Sequence, residues 1–345
     1  MTQLAALITG VSGFELTRDE RAFLKDVRPC GLILFSRNCA GLDQISDLVA
    51  DVQDAVGGEG LLVLIDQEGG RVQRLRPPLG RALPPAAAYA SLFETSPAAA
   101  CAAARGAARL VAHDLRTLGI NTNCAPVLDV PVQGAHDIIG NRAYGAEVEQ
   151  ISALGRAVAE GYMAGGVLPV IKHIPGHGRA MADSHLDLPV VAASHAELSA
   201  TDFAPFKRLA DMPAAMTAHV VFSAIDADQP ASTSVQVTSR IIRGEIGFDG
   251  FLMSDDLSMK ALSGAMRARA EAVIAAGSDV ALHCNGDLVE MRAAASGVPA
   301  LTGDALRRFK AALAILDSFE PFDQIAAESV LADVLSGRTP ASESV

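Results

Sequence analysis

Residues 167–189, VLPVIKHIPGHGRAMADSHLDLP, place three of the chain's eight histidines within thirteen positions of one another. Lys172 and His173 close an apolar run, His177 follows in a Pro-Gly-His-Gly turn, and His185 stands two residues after Asp183. A D-x-H spacing can set a carboxylate beside an imidazole, orient the ring and raise its basicity. Such a pair can protonate a leaving group and later take a proton from water. On a glycine-bearing loop it can also swing over a bound substrate. By itself the same spacing is equally a loop turn with an incidental histidine. Lys172 has its own alternatives: hydrogen bonding to substrate with His173, an ion pair with a carboxylate such as Asp66, or a Schiff base.

Other apolar runs also end in ionisable groups. One ends at Asp66 and continues QEGGRVQR, which contains Arg74. Others end at His219, at Asp255 with Asp256, and at His283 with Asn285, and the segment IIGNRAYG carries Arg142. Apolar strands with charged ends are costly unless each charge has partners. A ring of such ends points to an enzyme, the bland alternative being satisfied ion pairs around a rim. Asp255 directly follows FLMS, and a carboxylate there can serve as nucleophile, metal ligand or hydrogen-bond acceptor. Asp256 should point the other way in a continuing strand, so one of the two is structural, for instance as the cap of the next helix.

Eight short apolar runs could hold these residues: LAALITG, CGLILFSRN, LLVLIDQEGG, INTNCAPVLDV, GVLPVIKH, PAAMTAHVV, GFLMSDD and SDVALHCNG. Between them lie helical patterns, among them LTRDERAFLKDV, LDQISDLVADVQDAV, the alanine-rich stretch ending at Gly119, SVQVTSRIIRGEIG and MKALSGAMRARAEAVIAAG. TGDALRRFKAALAILDSF reads as a terminal helix. Strands alternating with helices predict an α/β fold, a TIM-type (β/α)8 barrel, whose active site lies at the C-terminal strand ends. A doubly wound open sheet is the rival, but no GxGxxG or Walker loop follows any run. We expect a single barrel domain over residues 1–335 and a frayed tail over 336–345, where the sequence turns small and polar.

The net charge of −12 and the absence of a Lys/Arg-rich run argue against nucleic acid or an anionic membrane as partner. Five scattered cysteines with no CxxC pair suggest neither a disulfide framework nor a zinc ribbon. No apolar run is long enough for a membrane span, and the N-terminus lacks a basic leader, so the expected location is cytoplasmic.

In order along the chain, GLILFSRN, IDQEGGRVQRL, APVLDV, IIGNRAYG, KHIPGHG with ADSH, AMTAHVVF and GFDGFLMSDDLSMKA resemble glycoside hydrolase family 3. More narrowly, they resemble its bacterial single-barrel β-N-acetylglucosaminidases of cell-wall recycling. The resemblance implies Asp255 as catalytic nucleophile and His185 as general acid/base with Asp183 as its partner. It implies that Asp66, Arg74, Arg142, Lys172 and His173 bind the N-acetylglucosamine ring, with His219 in the same pocket. Ile174 departs from the family pattern, where an aromatic residue is common, and should change only packing. The second domain of many members is missing from this length, which fits the one-barrel subfamily. The implied scheme uses no metal and no cofactor. Its substrate is a small soluble amino-sugar or muropeptide, and nothing fixes the oligomeric state, a monomer included. The chain has no tryptophan, which suits a monosaccharide pocket better than a polymer groove. Three rivals stay open: a metal-dependent barrel hydrolase, a Schiff-base aldolase using Lys172, and a sugar-binding barrel without turnover.

Overall fold

The computed structural model describes residues 3–58, 60–134, 137–180 and 188–340. All eight apolar runs become parallel strands. The first four are Ala5–Thr9, Pro29–Leu34, Leu62–Ile65 and the two-residue Thr122–Asn123. The fifth run forms Leu168–Pro169 and Ile171–Ile174, and the last three strands are Ala214–Thr217, Phe251–Asp256 and Val280–His283. Each pairs with its neighbours in parallel, and the eighth returns to the first with Leu7 opposite Ala281. The ring closes through the fifth run, because Leu168–Pro169 pairs with the fourth strand and Ile171–Ile174 with the sixth. The fold is the expected (β/α)8 barrel. The fourth strand is short because Pro126 follows it, and proline has no N–H for a ladder.

Strand side chains alternate between two faces, and here the faces belong to two separate apolar clusters. Ile8, Leu62, Leu64, Val170, Met216, Met253 and Leu282 pack together inside the barrel. Leu7, Val63, Ile65, Ile171, Ala215, Leu252 and Ala281 pack outward against the helices. The helix Gly303–Ala314 closes the N-terminal end of the barrel, with the Phe309 ring 5.5 Å from that of Phe251. On the outside, the alanine-rich helix Pro97–Thr117 lies against the helix Val148–Ala164. A Cβ at Gly161 would stand 2.5 Å from Arg105 O and 2.8 Å from Ala108 Cβ, so small residues set how closely these helices pack.

Several helices differ from the sequence reading. The segment after the sixth strand, Val237–Glu245, winds in the wider π manner, with Ile246 N–H donating to Ile241 O five residues back. The helix after the seventh strand begins only at Met266, and turns occupy the residues before it. A further helix, Gln324–Leu335, covers the alanine-rich helix with Ala327, Val330, Leu331 and Val334. Beyond it the chain turns back, and Arg338 pairs with Asp333 at 2.8 Å. Residues 341–345 of the expected tail lie outside the described residues. Among the described residues, no helix is long and apolar enough to cross a membrane.

Candidate active site

Two-residue steps along the interior face lead out of the apolar core into the polar mouth. Leu62 and Leu64 lead to Asp66 and Glu68, Leu168 and Val170 to Lys172, and Phe251 and Met253 to Asp255. One alternation therefore builds both the greasy barrel and its charged rim. These ends line a cavity of about 570 Å³, together with Phe35, Arg37, Arg74, Arg142 and His173. A smaller cavity of about 270 Å³ lies on the flank of the barrel beside the Arg81–Asp114 ion pair, away from these strand ends.

Lys172 lies between two carboxylates, with Nζ 2.7 Å from Asp66 Oδ1 and 2.7 Å from Glu68 Oε1. Arg74 Nη2 donates to Asp66 Oδ2 at 2.8 Å. Arg142 grips Glu68 in bidentate fashion, Nε to Oε2 and Nη2 to Oε1, each at 2.8 Å. Burial alone would neutralise these groups. For Asp66 it is outweighed by Lys172 and Arg74, which hold the carboxyl below the usual range. Glu68 is lowered in the same way, against its burial, by Lys172 and Arg142. Burial disfavours the Lys172 ammonium too, but Asp66 and Glu68 overcome it and raise its pKa. A Schiff base needs a neutral amine, so this environment weighs against the aldolase reading. Ion pairing and substrate binding are compatible, since the five groups form a fixed, donor-rich wall.

His173 lines the same cavity, and the peptide joining it to Lys172 is cis. Its Nδ1 is 2.7 Å from Asp129 Oδ2, and Asp129 is fully buried. Asp129 Oδ1 also accepts the backbone N–H groups of His173 at 3.2 Å and His177 at 2.7 Å. His177 is itself buried. Burial and the neighbouring His173 push its pKa down to about 4, against the pull of Asp129 and Asp255, so the ring is neutral near pH 7. Gly178 packs directly on the next backbone, where a Cβ would fall 1.9 Å from Val130 O. Asp183 and His185 lie outside the described residues, in the segment between Ala180 and Leu188.

At the seventh strand end both adjacent aspartates border the cavity, but different contacts hold them. Asp255 lines the cavity, its N–H donating to Thr217 Oγ1 at 3.3 Å. Asp256 Oδ1 accepts the N–H groups of Ser258 and Cys284, both at 3.0 Å, and Oδ2 bonds the Ser258 hydroxyl. Asp256 thus ties down the turn and the eighth strand end. It does not cap the next helix, whose N-cap is Ala265. His219 also departs from its expected place. It is fully buried behind the strand ends, with Nδ1 2.7 Å from Ser232 Oγ and Nε2 3.0 Å from Asp256 O. It buttresses the seventh strand end and does not line the cavity. His283 is also wholly buried, with Nε2 facing Glu290 at 3.3 Å.

Three residues of the site were not singled out from the sequence. Glu68 shares the interior face with Asp66, so the period of two could have found it. Asp129 ends the fourth run, INTNCAPVLDV, as other acids end theirs. Arg37 leaves a weaker signal, being held by backbone carbonyls of Val11 and Cys284 from distant segments. Among the described residues, no group of three or more His, Cys, Asp or Glu is placed to hold a metal ion.

The sequence pattern of the glycosyl hydrolase family 3 N-terminal domain matches residues 2–312. The chain belongs to glycosyl hydrolase family 3. The β-hexosaminidase of Methylococcus capsulatus is 43% identical over 277 residues, which span 79% of this chain and 80% of that one. The β-hexosaminidase of Bordetella pertussis is 39% identical over 288 residues, covering 82% of this chain and 81% of its relative. Among solved structures, native NagZ from Neisseria gonorrhoeae superposes with a TM-score of 0.85 at 33% identity, covering 96% of this chain and 98% of that one. A family 3 β-N-acetylglucosaminidase from Paenibacillus superposes with a TM-score of 0.79 at 31% identity. The match takes in 99% of this chain but only 64% of that longer one. As a family 3 member the protein is a glycoside hydrolase, and the strand-end cavity is the candidate place for its chemistry.

Proposed function

We propose that this family 3 enzyme is a retaining exo-β-N-acetylglucosaminidase. Its substrates are muropeptide fragments of the GlcNAc-1,6-anhydro-MurNAc-peptide kind, met in the cytoplasm. The observation that carries the reading is Asp255 on the interior face of the seventh strand, sharing one cavity with the Asp66–Lys172–Glu68–Arg142 wall. In a double displacement, Asp255 attacks the anomeric carbon and forms a glycosyl-enzyme. His185, oriented by Asp183, protonates the departing oxygen and then deprotonates the incoming water. Asp66, Arg74, Arg142, Lys172 and His173 hold the sugar. The wall carries three cations against two carboxylates, and its excess positive charge favours an anionic nucleophile electrostatically. The β-hexosaminidase relatives and the limited cavity both support action on one terminal sugar of a small fragment. Turnover of a chromogenic N-acetyl-β-glucosaminide, followed by NMR, tests the reading. The first sugar released should be the β-anomer; an α-anomer would remove Asp255 as nucleophile.

Arg37 supports the finer choice of substrate. Every other cation lining the cavity is paired with a carboxylate. Arg37 has no such pair among the described residues, and it donates to the carbonyls of Val11 and Cys284. Gly10 leaves room for it, since a Cβ there would lie 2.7 Å from Arg37 Nη2. A fixed, unpaired guanidinium suits an acidic substituent on the leaving sugar. Arg37→Ala is therefore expected to raise KM for a carboxylate-bearing disaccharide by about tenfold, the worth of one charge-assisted hydrogen bond. A neutral aryl glycoside should hardly notice the change. Equal losses on both substrates would assign Arg37 to the scaffold alone.

A further inference from the structure

The sugar-binding wall is rich in donors, and its carboxylates are partly engaged by them. Lys172, Arg74 and Arg142 can only donate. Each oxygen of Asp66 and of Glu68 already accepts from these cations, and Asp66 keeps a second lone pair on each oxygen for a sugar hydroxyl. Each sugar hydroxyl nevertheless carries a hydrogen that needs an acceptor. His173 can provide one beside the carboxylates of the cavity, and which of its nitrogens does so is set from behind.

We infer that Asp129 is a positioning residue that keeps the ring hydrogen of His173 on Nδ1, so that Nε2 is the nitrogen left to accept a hydrogen bond from a hydroxyl of the bound sugar. The sugar contact rests on the function proposed above; the hold on the ring does not. Asp129 is fully buried, and among the described residues its carboxylate makes three hydrogen bonds, all with the turn at 173–177. Oδ1 takes the two backbone N–H groups, which leaves Oδ2 for the ring at 2.7 Å. An ionised carboxylate only accepts, so Nδ1 must carry the hydrogen. Burial disfavours the Asp129 charge, but His173 and its hydrogen bonds hold the pKa below the usual range. With Nδ1 turned to buried Asp129, the opposite ring edge is the one that meets the cavity.

The substitution Asp129→Asn makes the inference testable. The asparagine oxygen would face the two backbone N–H groups, and its NH2 would face Nδ1. The ring would then have to accept at Nδ1 and carry its hydrogen on Nε2, turning an acceptor toward the sugar into a donor.

The first measurement is 15N NMR of the imidazoles in unliganded enzyme at pH 8, with His173 assigned by the signals that His173→Gln removes. Wild-type enzyme should show Nδ1 protonated and Nε2 bare, and Asp129→Asn should exchange them. The wild-type spectrum stands even if that variant folds poorly. The second measurement is a double-mutant cycle on an aryl N-acetyl-β-glucosaminide. Asp129→Asn should lower kcat/KM by about tenfold or more in the wild-type background, mainly through KM, and by less than about threefold in the His173→Gln background. An Nε2–H ring in wild type, or equal losses in both backgrounds, overturns the positioning role. An Nδ1–H ring combined with an unchanged KM in His173→Gln overturns the sugar contact, and with it the substrate reading of this histidine.

Discussion

Asp255→Asn is expected to lower kcat by on the order of 10⁴-fold or more on every N-acetyl-β-glucosaminide, whatever its leaving group. The size follows from its assigned role. A nucleophile forms the bond that splits one difficult displacement into two, and asparagine keeps the shape without the attacking charge. The fold should tolerate the change. The backbone N–H at 255 is held by Thr217, the strand is paired at Met253 and Asp256 on either side, and the substituted atom lies at a cavity surface and not in the core. Melting temperature should therefore move little while activity disappears. Intact-mass spectrometry of wild-type enzyme with a slow substrate should show one added N-acetylhexosaminyl unit, absent from the variant. Asp256→Asn makes the contrast. It disturbs the ties to Ser258 and Cys284, so its principal loss should be in stability. A loss of less than about tenfold for Asp255→Asn would be too small for any nucleophile and would end the double-displacement scheme.

The sequence exposed Asp255 because a strand of period two makes its own forecast. Phe251 and Met253 face inward, so the carboxylate two steps on faces the mouth, while Asp256, at the edge of the same cavity, is tied to Ser258 and Cys284. The same logic gave Asp66 and Lys172, and the eight apolar runs gave the barrel. What sequence concealed was whatever depends on several segments meeting. His219 follows a strand as His173 does, yet it ends up behind the strand ends because Ser232, thirteen residues on, and the Asp256 carbonyl occupy both its nitrogens. Asp129, which the sequence did not single out, gains its role only because the turn at 173–177 folds onto it. The helix Gln324–Leu335 has an apolar face that makes sense only once the alanine-rich helix lies beneath it. The late start at Met266 and the π winding of Val237–Glu245 are choices of local backbone that amphipathic spacing does not encode.

His185→Ala should show a different signature from Asp255→Asn: its damage depends on what is leaving. A sugar alkoxide must be protonated as it departs, so hydrolysis of the natural disaccharide should fall by about 10³-fold, within the usual range for general acid catalysis. A dinitrophenolate leaves without a proton. For that substrate kcat/KM, which reports the path up to the first bond cleavage, should stay within about tenfold of wild type. The second step still needs a base to activate water, so the glycosyl-enzyme should accumulate and kcat should fall after an initial burst of dinitrophenol. Azide, which needs no deprotonation, should restore turnover and emerge as a β-glycosyl azide. Asp183→Asn should follow the same pattern more weakly, because it removes only the group that orients the ring. The control is built into the described site, where His173 lines the cavity with buried Asp129 behind it at 2.7 Å. If His173 holds sugar and moves no proton in catalysis, His173→Ala should penalise good and poor leaving groups alike, mostly through KM. Should the leaving-group dependence appear in His173→Ala and be missing from His185→Ala, the acid/base role passes from the Asp183–His185 pair to the buried one.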